Sequence, residues 1–340
     1  MAIVTTFGDS IAWGQGLNLG SKFSMIACRD LDVRFAPMQF EHHMAAHSGA
    51  PIGTGDAAKL GSIDAEVPVD DPTIRWQVRI AGDEINAADV RLILLNGGIN
   101  DVAVNYIVNP LVPLTELQVK TGAACNTGMS ALIDECLATF VNASIVITGY
   151  YPLVTDKSSP LLVIALAAAS GLVLADIPGA VIFGTLSAAT FSTIVRNCAT
   201  FATVANDSFF EVTRVHNRDL VAKGDNRRVA VAVPGFLSEN ALGGPNTFVW
   251  GARFTGDPTE EFVPVDVVFQ ERIDACHLAK QSGRIKDYAR CKIASIGHPD
   301  STGAYVFSVA IGEAVDRLIT DGWDPAVSLD VVSARCLLLT

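Results

Sequence analysis

No two of the seven cysteines stand in a CxxC pair, and none joins a histidine at a zinc-ligand spacing. That absence excludes a structural zinc site of the usual kind and a thioredoxin-like redox motif. An odd count leaves at least one thiol unpaired, and most of the seven read as small buried apolar residues. Cys276 and Cys291 are the exception, because they flank one short segment and would bridge in an oxidising compartment.

Basic charge is also scarce. Twenty-four Lys and Arg stand against thirty-six Asp and Glu, a net charge of −12, and the resulting field repels phosphodiester backbones and anionic headgroups. Nucleic acid is thereby excluded as an expected partner. The densest basic patch, Arg227-Arg228, reads as a solvated turn before a strand. Phosphate loops are missing too: Gly14, Gly16 and Gly20 do not fit a dinucleotide fingerprint, and no Gly-Lys-Ser/Thr occurs. No cofactor is expected.

Long apolar runs are missing as well. Leu161 to Ala175 carries no charge, and Asp176 is the only ionisable residue between Ser159 and Phe191, yet Gly171, Asp176, Pro178 and Gly179 interrupt the stretch. The clean run falls short of the roughly 18 to 20 residues that cross a bilayer. Two short helices are predicted over an apolar insert at 156–192, either buried in the core or a homo-oligomer interface, or forming a cap over an acyl pocket. No basic and apolar leader precedes Ile3-Val4-Thr5-Thr6, which already reads as a strand. A cytoplasmic protein is predicted, or an exported one if the chain begins at a mature terminus.

What is present is a rhythm of short β-rich runs separated by helical stretches, the pattern of a parallel sheet covered on both faces. The strands are predicted at Ile3–Phe7, Gln39–Ala45, Val90–Asn96, Ser144–Tyr150 and Arg228–Val233. Apolar residues at three- and four-residue intervals predict an amphipathic helix over Ser192–Lys223. The stretch 235–264, rich in Gly, Asn, Pro and Thr, reads as a long loop. One α/β domain over 1–340 accommodates all of this. In such sheets, residues at the carboxyl ends of neighbouring strands converge on one crevice.

Gly8-Asp9-Ser10 places a serine just after the first strand, where glycine permits a tight turn and a following helix directs N–H groups outward. Alone, it would pass for a helix N-cap. Three further blocks follow it: Ser48-Gly49-Ala50 after the second strand, Gly98-Ile99-Asn100-Asp101 after the third, and Gly297-His298-Pro299-Asp300 near the C-terminus. In order and spacing the four resemble the SGNH (GDSL) hydrolases, over roughly residues 2–155 and 228–315.

The resemblance implies a flavodoxin-like three-layer α/β/α sandwich, its five-stranded parallel sheet ordered 2-1-3-4-5, with the apolar segment as an insert. It implies an esterase or lipase-like serine hydrolase that cleaves carboxylic esters through an acyl-enzyme. Ser10 would be the nucleophile and His298 its general base, and the backbone N–H groups of Ser10 and Gly49 with the Asn100 side-chain amide would form the oxyanion hole. An acyltransferase using the same site, or a non-catalytic binding protein on the same fold, are the rival readings.

The chain departs from the family at the triad acid, usually three residues before the histidine, where Ser295 stands. Either a backbone carbonyl or Ser295 orients the imidazole, giving a Ser-His dyad, or Asp300 or Asp287 reaches it. An ordinary imidazole would lose activity below about pH 6.5. The cluster His42, His43 and His47 matches no zinc pattern, since neighbours on a strand point to opposite faces. No metal is expected; His47 is expected at the pocket wall, and His216 and His277 read as ordinary helix residues.

Overall fold

Aliphatic and β-branched runs form five parallel strands: β1 Ala2–Phe7, β2 Phe40–Met44, β3 Val90–Leu95, β4 Ser144–Thr148 and β5 Val229–Ala232. Their order is β2-β1-β3-β4-β5, the arrangement predicted from the sequence. The computed structural model describes residues 1–53, 64–68, 72–182, 185–253, 263–264, 266–285 and 288–326. Every residue of β4 is buried, and in β3 only Arg91 is not, as expected of inner strands covered on both faces. β2 lies at the edge and is half-exposed beyond Phe40.

The longer helices are α1 Phe23–Arg34, α2 Ile74–Glu84, α3 Leu114–Gly122, α4 Met129–Thr139, α5 Pro160–Ala169, α6 Ala188–Ala222, α7 Phe269–Gln281 and α8 Ser301–Thr320. A π-helical turn, Ala123–Gly128, joins α3 to α4. α1 and α8 pack together on one face of the sheet, where Phe23 stacks on Phe307 at 5.1 Å. α2, α4 and α6 cover the other, where Phe7 stacks on Phe140 at 5.7 Å. The result is a three-layer α/β/α sandwich.

The predicted helix at 192–223 starts earlier, because the Ser187 side chain accepts the Thr190 N–H and caps α6 there. Three asparagines on α6 clamp backbone elsewhere. Asn197 donates to the Asn109 carbonyl at 3.1 Å, Asn206 pairs with both N–H and carbonyl of Tyr150 at 2.9 Å, and Asn217 does the same to Val229 at 2.8 Å.

The apolar insert holds one helix rather than two. α5 stops before Gly171, whose φ of 86° suits a residue without a Cβ, and the chain continues as a 3-10 turn, Leu174–Asp176. A two-residue hairpin, Val181–Ile182 with Thr185–Leu186, then turns the chain toward α6. Among the described residues, no helix is long and apolar enough to cross a membrane.

The long loop runs beside the fourth motif block. Trp250 N–H donates to the His298 carbonyl, Gly297 N–H to that of Trp250, each at 2.8 Å, and Asp300 N–H to that of Phe248 at 2.9 Å. A satellite cluster of Val67, Ala275, Cys276, Ala279, Ile285 and Cys291 sits apart from the main core. Within it Cys276 and Cys291 form a disulfide.

Candidate active site

β1 is central, paired in parallel with β2 on one side and β3 on the other, so the chain leaves it at the switch point of the sheet. Gly8 makes the exit possible. Its φ is 151°, and a Cβ there would stand 2.6 Å from the Ala12 Cβ and 2.9 Å from the Asn96 carbonyl. Gln77 holds both sides of Gly8, accepting its N–H at 2.9 Å and donating to its carbonyl at 3.0 Å.

Asp9 is fully buried and caps the short helix Ser10–Trp13, accepting the Ile11 N–H at 2.8 Å. Its other oxygen accepts the Tyr150 hydroxyl at 3.0 Å. Burial drives its pKa up to about 6, against the pull of those two hydrogen bonds. The Tyr150 oxygen in turn accepts the Ile99 N–H at 3.0 Å, linking the first and third motif blocks.

The third block pins the second. Asn100 donates one side-chain N–H to the Ala50 carbonyl at 3.1 Å, and Asp101 accepts the Ile52 N–H at 2.9 Å. An amide carries two such protons, so one remains for a ligand. Gly49 has a φ of 80°. Ser10, Gly49, Asn100 and His298 all line one cavity of about 530 Å³.

His298 Nε2 lies 2.6 Å from Ser10 Oγ, across 288 residues of sequence. Its Nδ1 faces the Ser295 carbonyl at 3.3 Å. A carbonyl only accepts, so the proton resides on Nδ1 and Nε2 is left to accept the Ser10 hydroxyl. Burial lowers the imidazole pKa to about 4, opposed by the carbonyls of Ser295 and Ile296. The ordinary value of about 6.5 expected from sequence is therefore corrected downward, because the ring is desolvated.

Of the acids considered from sequence, Asp300 is engaged elsewhere. Its carboxylate caps α8 by accepting the N–H groups of Thr302 and Gly303 at 2.8 and 2.9 Å. Asp287 lies outside the described residues. Ser295 is buried, and its Oγ donates to Asp266 at 2.7 Å rather than to the ring. Asp266, Tyr150 and Tyr151 were not singled out by sequence. The tyrosines follow β4 directly, so the strand-end rule would have found them; Asp266 carries no local signal.

The other histidines stand away from this contact. His42 and His43 project to opposite faces of β2, bonded to Thr6 Oγ1 at 2.9 Å and Thr5 Oγ1 at 3.1 Å. His47 is buried against its neighbour's carbonyl, at 2.7 Å from the Ser48 oxygen, and does not line the cavity as expected. His216 bridges Val212 and Asp134 on the outer helices, and His277 meets Gln281 on α7. Among the described residues no three His, Cys, Asp or Glu side chains are grouped to hold a metal.

The cavity wall beyond the Ser-His pair is mixed, with Asn105, Ser170, Arg284 and Arg290 among its polar residues and an apolar part built from several elements. Leu166 and Ala169 come from α5, Cys198 and Phe201 from α6, and Ile107 from the third block's following turn. The half of the insert that is helical thus meets the cavity through Leu166, while Leu162 packs over Gly243 and Gly251.

No family model and no curated protein matches this chain. Similar solved structures include an extracellular lipase from Streptomyces rimosus, at 12% identity and TM-score 0.45, covering 92% of this chain and 100% of the other. A carbohydrate acetylesterase from Sinorhizobium meliloti is 11% identical with a TM-score of 0.43, covering 94% and 100%. A phospholipase A1 from Streptomyces albidoflavus is 11% identical with a TM-score of 0.39, covering 77% and 92%.

Proposed function

We propose that this protein is a serine hydrolase of the SGNH type that cleaves carboxylic esters through an acyl-enzyme. The observation that carries the reading is the 2.6 Å contact between Ser10 Oγ and His298 Nε2, both of which line one cavity. A hydroxyl is a weak nucleophile until a base takes its proton, and an imidazole neutral at Nε2 is that base.

In the reaction, Ser10 Oγ attacks the ester carbonyl carbon as its proton passes to Nε2. The oxyanion is received by the backbone N–H groups of Ser10 and Gly49 and the second side-chain proton of Asn100. The imidazolium returns the proton to the departing alkoxide, leaving the acyl group on Ser10. Water, deprotonated by the same ring, then releases the carboxylic acid. The Ser295 carbonyl holds the ring in a dyad, and among the described residues no carboxylate bonds Nδ1.

The cavity of about 530 Å³ falls within the range of small-ligand sites, and the apolar part of its wall, Leu166, Ala169, Cys198 and Phe201, suits an acyl chain. The test is labelling with a fluorophosphonate and mapping of the adduct, together with turnover of p-nitrophenyl esters. Ser10 should carry the adduct, and Ser10→Ala should abolish turnover while the fold is kept. An adduct elsewhere, or undiminished turnover, would refute the assignment.

A further inference from the structure

The place of the missing triad acid is not empty of design. Arg272 on α7 is completely buried, and so are the two carboxylates it meets, Asp266 and Glu66. Its guanidinium is bidentate to Asp266, at 3.0 and 2.6 Å, and reaches Glu66 at 3.0 Å. Further bonds run to the Lys292 carbonyl at 3.2 and 3.3 Å and to Ser295 Oγ at 3.4 Å.

The two carboxylates lead to opposite halves of the site. Glu66 accepts the Gly16 N–H at 2.7 Å and the Trp13 indole N–H, so it fixes the turn that follows Ser10. Asp266 accepts the Ser295 hydroxyl at 2.7 Å, and Ser295 is the residue whose carbonyl faces His298 Nδ1. One cation therefore ties the serine's turn to the histidine's loop. Burying three charges costs several kcal/mol each unless they are paired and bonded, and an apolar cluster of the same volume would hold the chain equally well. The charge is better explained by what it orients.

We infer that Asp266, relayed through the Ser295 hydroxyl, is the positioning residue that replaces the triad acid, with Arg272 and Glu66 locking it in register with the Ser10 turn. The inference rests on the serine hydrolase reading. Asp266 does not touch the ring; it fixes the Ser295 peptide, whose carbonyl then fixes the ring's tautomer and direction. Of the charges in the cluster, Asp266 favours the cationic imidazole and Arg272 opposes it, so the part assigned to Asp266 is one of position rather than of net charge. The groups that act on the ring are the carbonyl-bearing peptides of Ser295 and Ile296 and the charges of Arg272 and Asp266; next to it, the Tyr151 hydroxyl donates to the Gly297 carbonyl at 2.7 Å.

The test uses Ser295→Ala, Ser295→Thr and Asp266→Asn in the full chain, read as kcat and KM on a p-nitrophenyl ester beside the melting temperature and fluorophosphonate labelling. Misplacement of a reacting group by about 1 Å can cost about 10²-fold, so Ser295→Ala should lower kcat by about 10-fold to 10²-fold with KM nearly unchanged. Ser295→Thr, which keeps the hydroxyl, should restore most of that loss. Asp266→Asn should lower kcat similarly, and the double variant with Ser295→Ala should be no slower than the slower single, because both cut one relay.

Full kcat in Ser295→Ala would overturn the inference, as would failure of Ser295→Thr to recover activity in a folded protein. Additive losses in the double variant would also overturn it. Should Asp266→Asn fail to fold, the Ala and Thr pair at 295 decides alone, since neither unpairs a buried charge. An unmutated protein that neither hydrolyses esters nor takes the label would instead defeat the hydrolase reading itself.

Discussion

The hydroxyl of Tyr150 lies 3.0 Å from the Asp9 carboxylate and the same distance from the Ile99 N–H. One oxygen thus donates to the turn that carries Ser10 and accepts from the turn that carries Asn100. Tyr150→Phe keeps the ring packed at a tilt against Phe201 and Phe209 but removes both bonds. It leaves a buried carboxylate short of a partner, at a cost of about 1–3 kcal/mol, and lets the two turns drift. Thermal melting should show the loss in stability, and kcat should fall more than KM rises. Unchanged kcat in a folded variant would mean that the link is only structural.

The pH profile follows from the desolvated imidazole. With its pKa down at about 4, His298 stays a competent base well below pH 6.5, so kcat/KM should hold through pH 6 and fall only toward pH 4. A half-maximum near pH 6.5 would show that the ring is hydrated in the working enzyme.

Stability over the same range has two opposing parts. His298 and His42 both titrate near 4 when folded and near 6.5 when not, so the unfolded chain binds more protons and stability is lost as pH falls from 6.5 to 4. Asp9 runs the other way: its folded pKa of about 6 lies above the ordinary 3.8, so the cost of burying its charge is relieved as pH falls through 6. Asp9→Asn should therefore steepen the fall in melting temperature between pH 6 and 4 relative to the unmutated chain. A shallower fall would contradict the sign.

In the proposed reaction Asn100 meets charge that exists only in the transition state. Asn100→Ala should lower kcat by about 10²–10³-fold with little effect on KM. Because the amide also holds the Ala50 carbonyl, a small loss of melting temperature should accompany it. A change confined to KM would assign Asn100 to substrate binding alone.

Leu162 and Leu166 lie on one helix four residues apart, yet they face different surroundings. Leu166 lines the cavity, whereas Leu162 rests on Gly243 and Gly251. Each acyl methylene buried is worth about 0.8 kcal/mol, about fourfold in kcat/KM. Leu166→Ala should shift the preferred chain length by one or two carbons, while Leu162→Ala should lower the melting temperature and leave the preference in place. Equal effects from both on chain length would undo the division.

Much of the arrangement was legible because three of the four motif blocks follow strands, two of which, β1 and β3, are clear apolar runs, while the fourth stands just before α8. Gly8, Gly49 and Gly98 all carry positive φ, so the turns themselves are written as glycine. The acid relay was not legible. Arg272 and Glu66 are 206 residues apart, and nothing local distinguishes a buried ion pair from a solvated one. The depressed imidazole pKa is likewise a property of burial, not of neighbours in sequence. The second half of the insert was misread because apolar residues around Gly171 and Pro178 share the composition of a helix while those two residues forbid one.

Helix α6 has 35 residues, about 52 Å at 1.5 Å per residue, and its asparagines grip backbone near both ends and in the middle. Its early turns supply Cys198 and Phe201 to the cavity, and its last turns hold β5. A chimaera that exchanged the segment before Ser187 for another protein's would keep this splint and with it Cys198 and Phe201 of the cavity wall. One that cut inside α6 would sever the sheet from the wall in the same stroke. The natural seam for grafting new specificity onto this scaffold is therefore the hairpin ahead of Ser187, not the helix that follows.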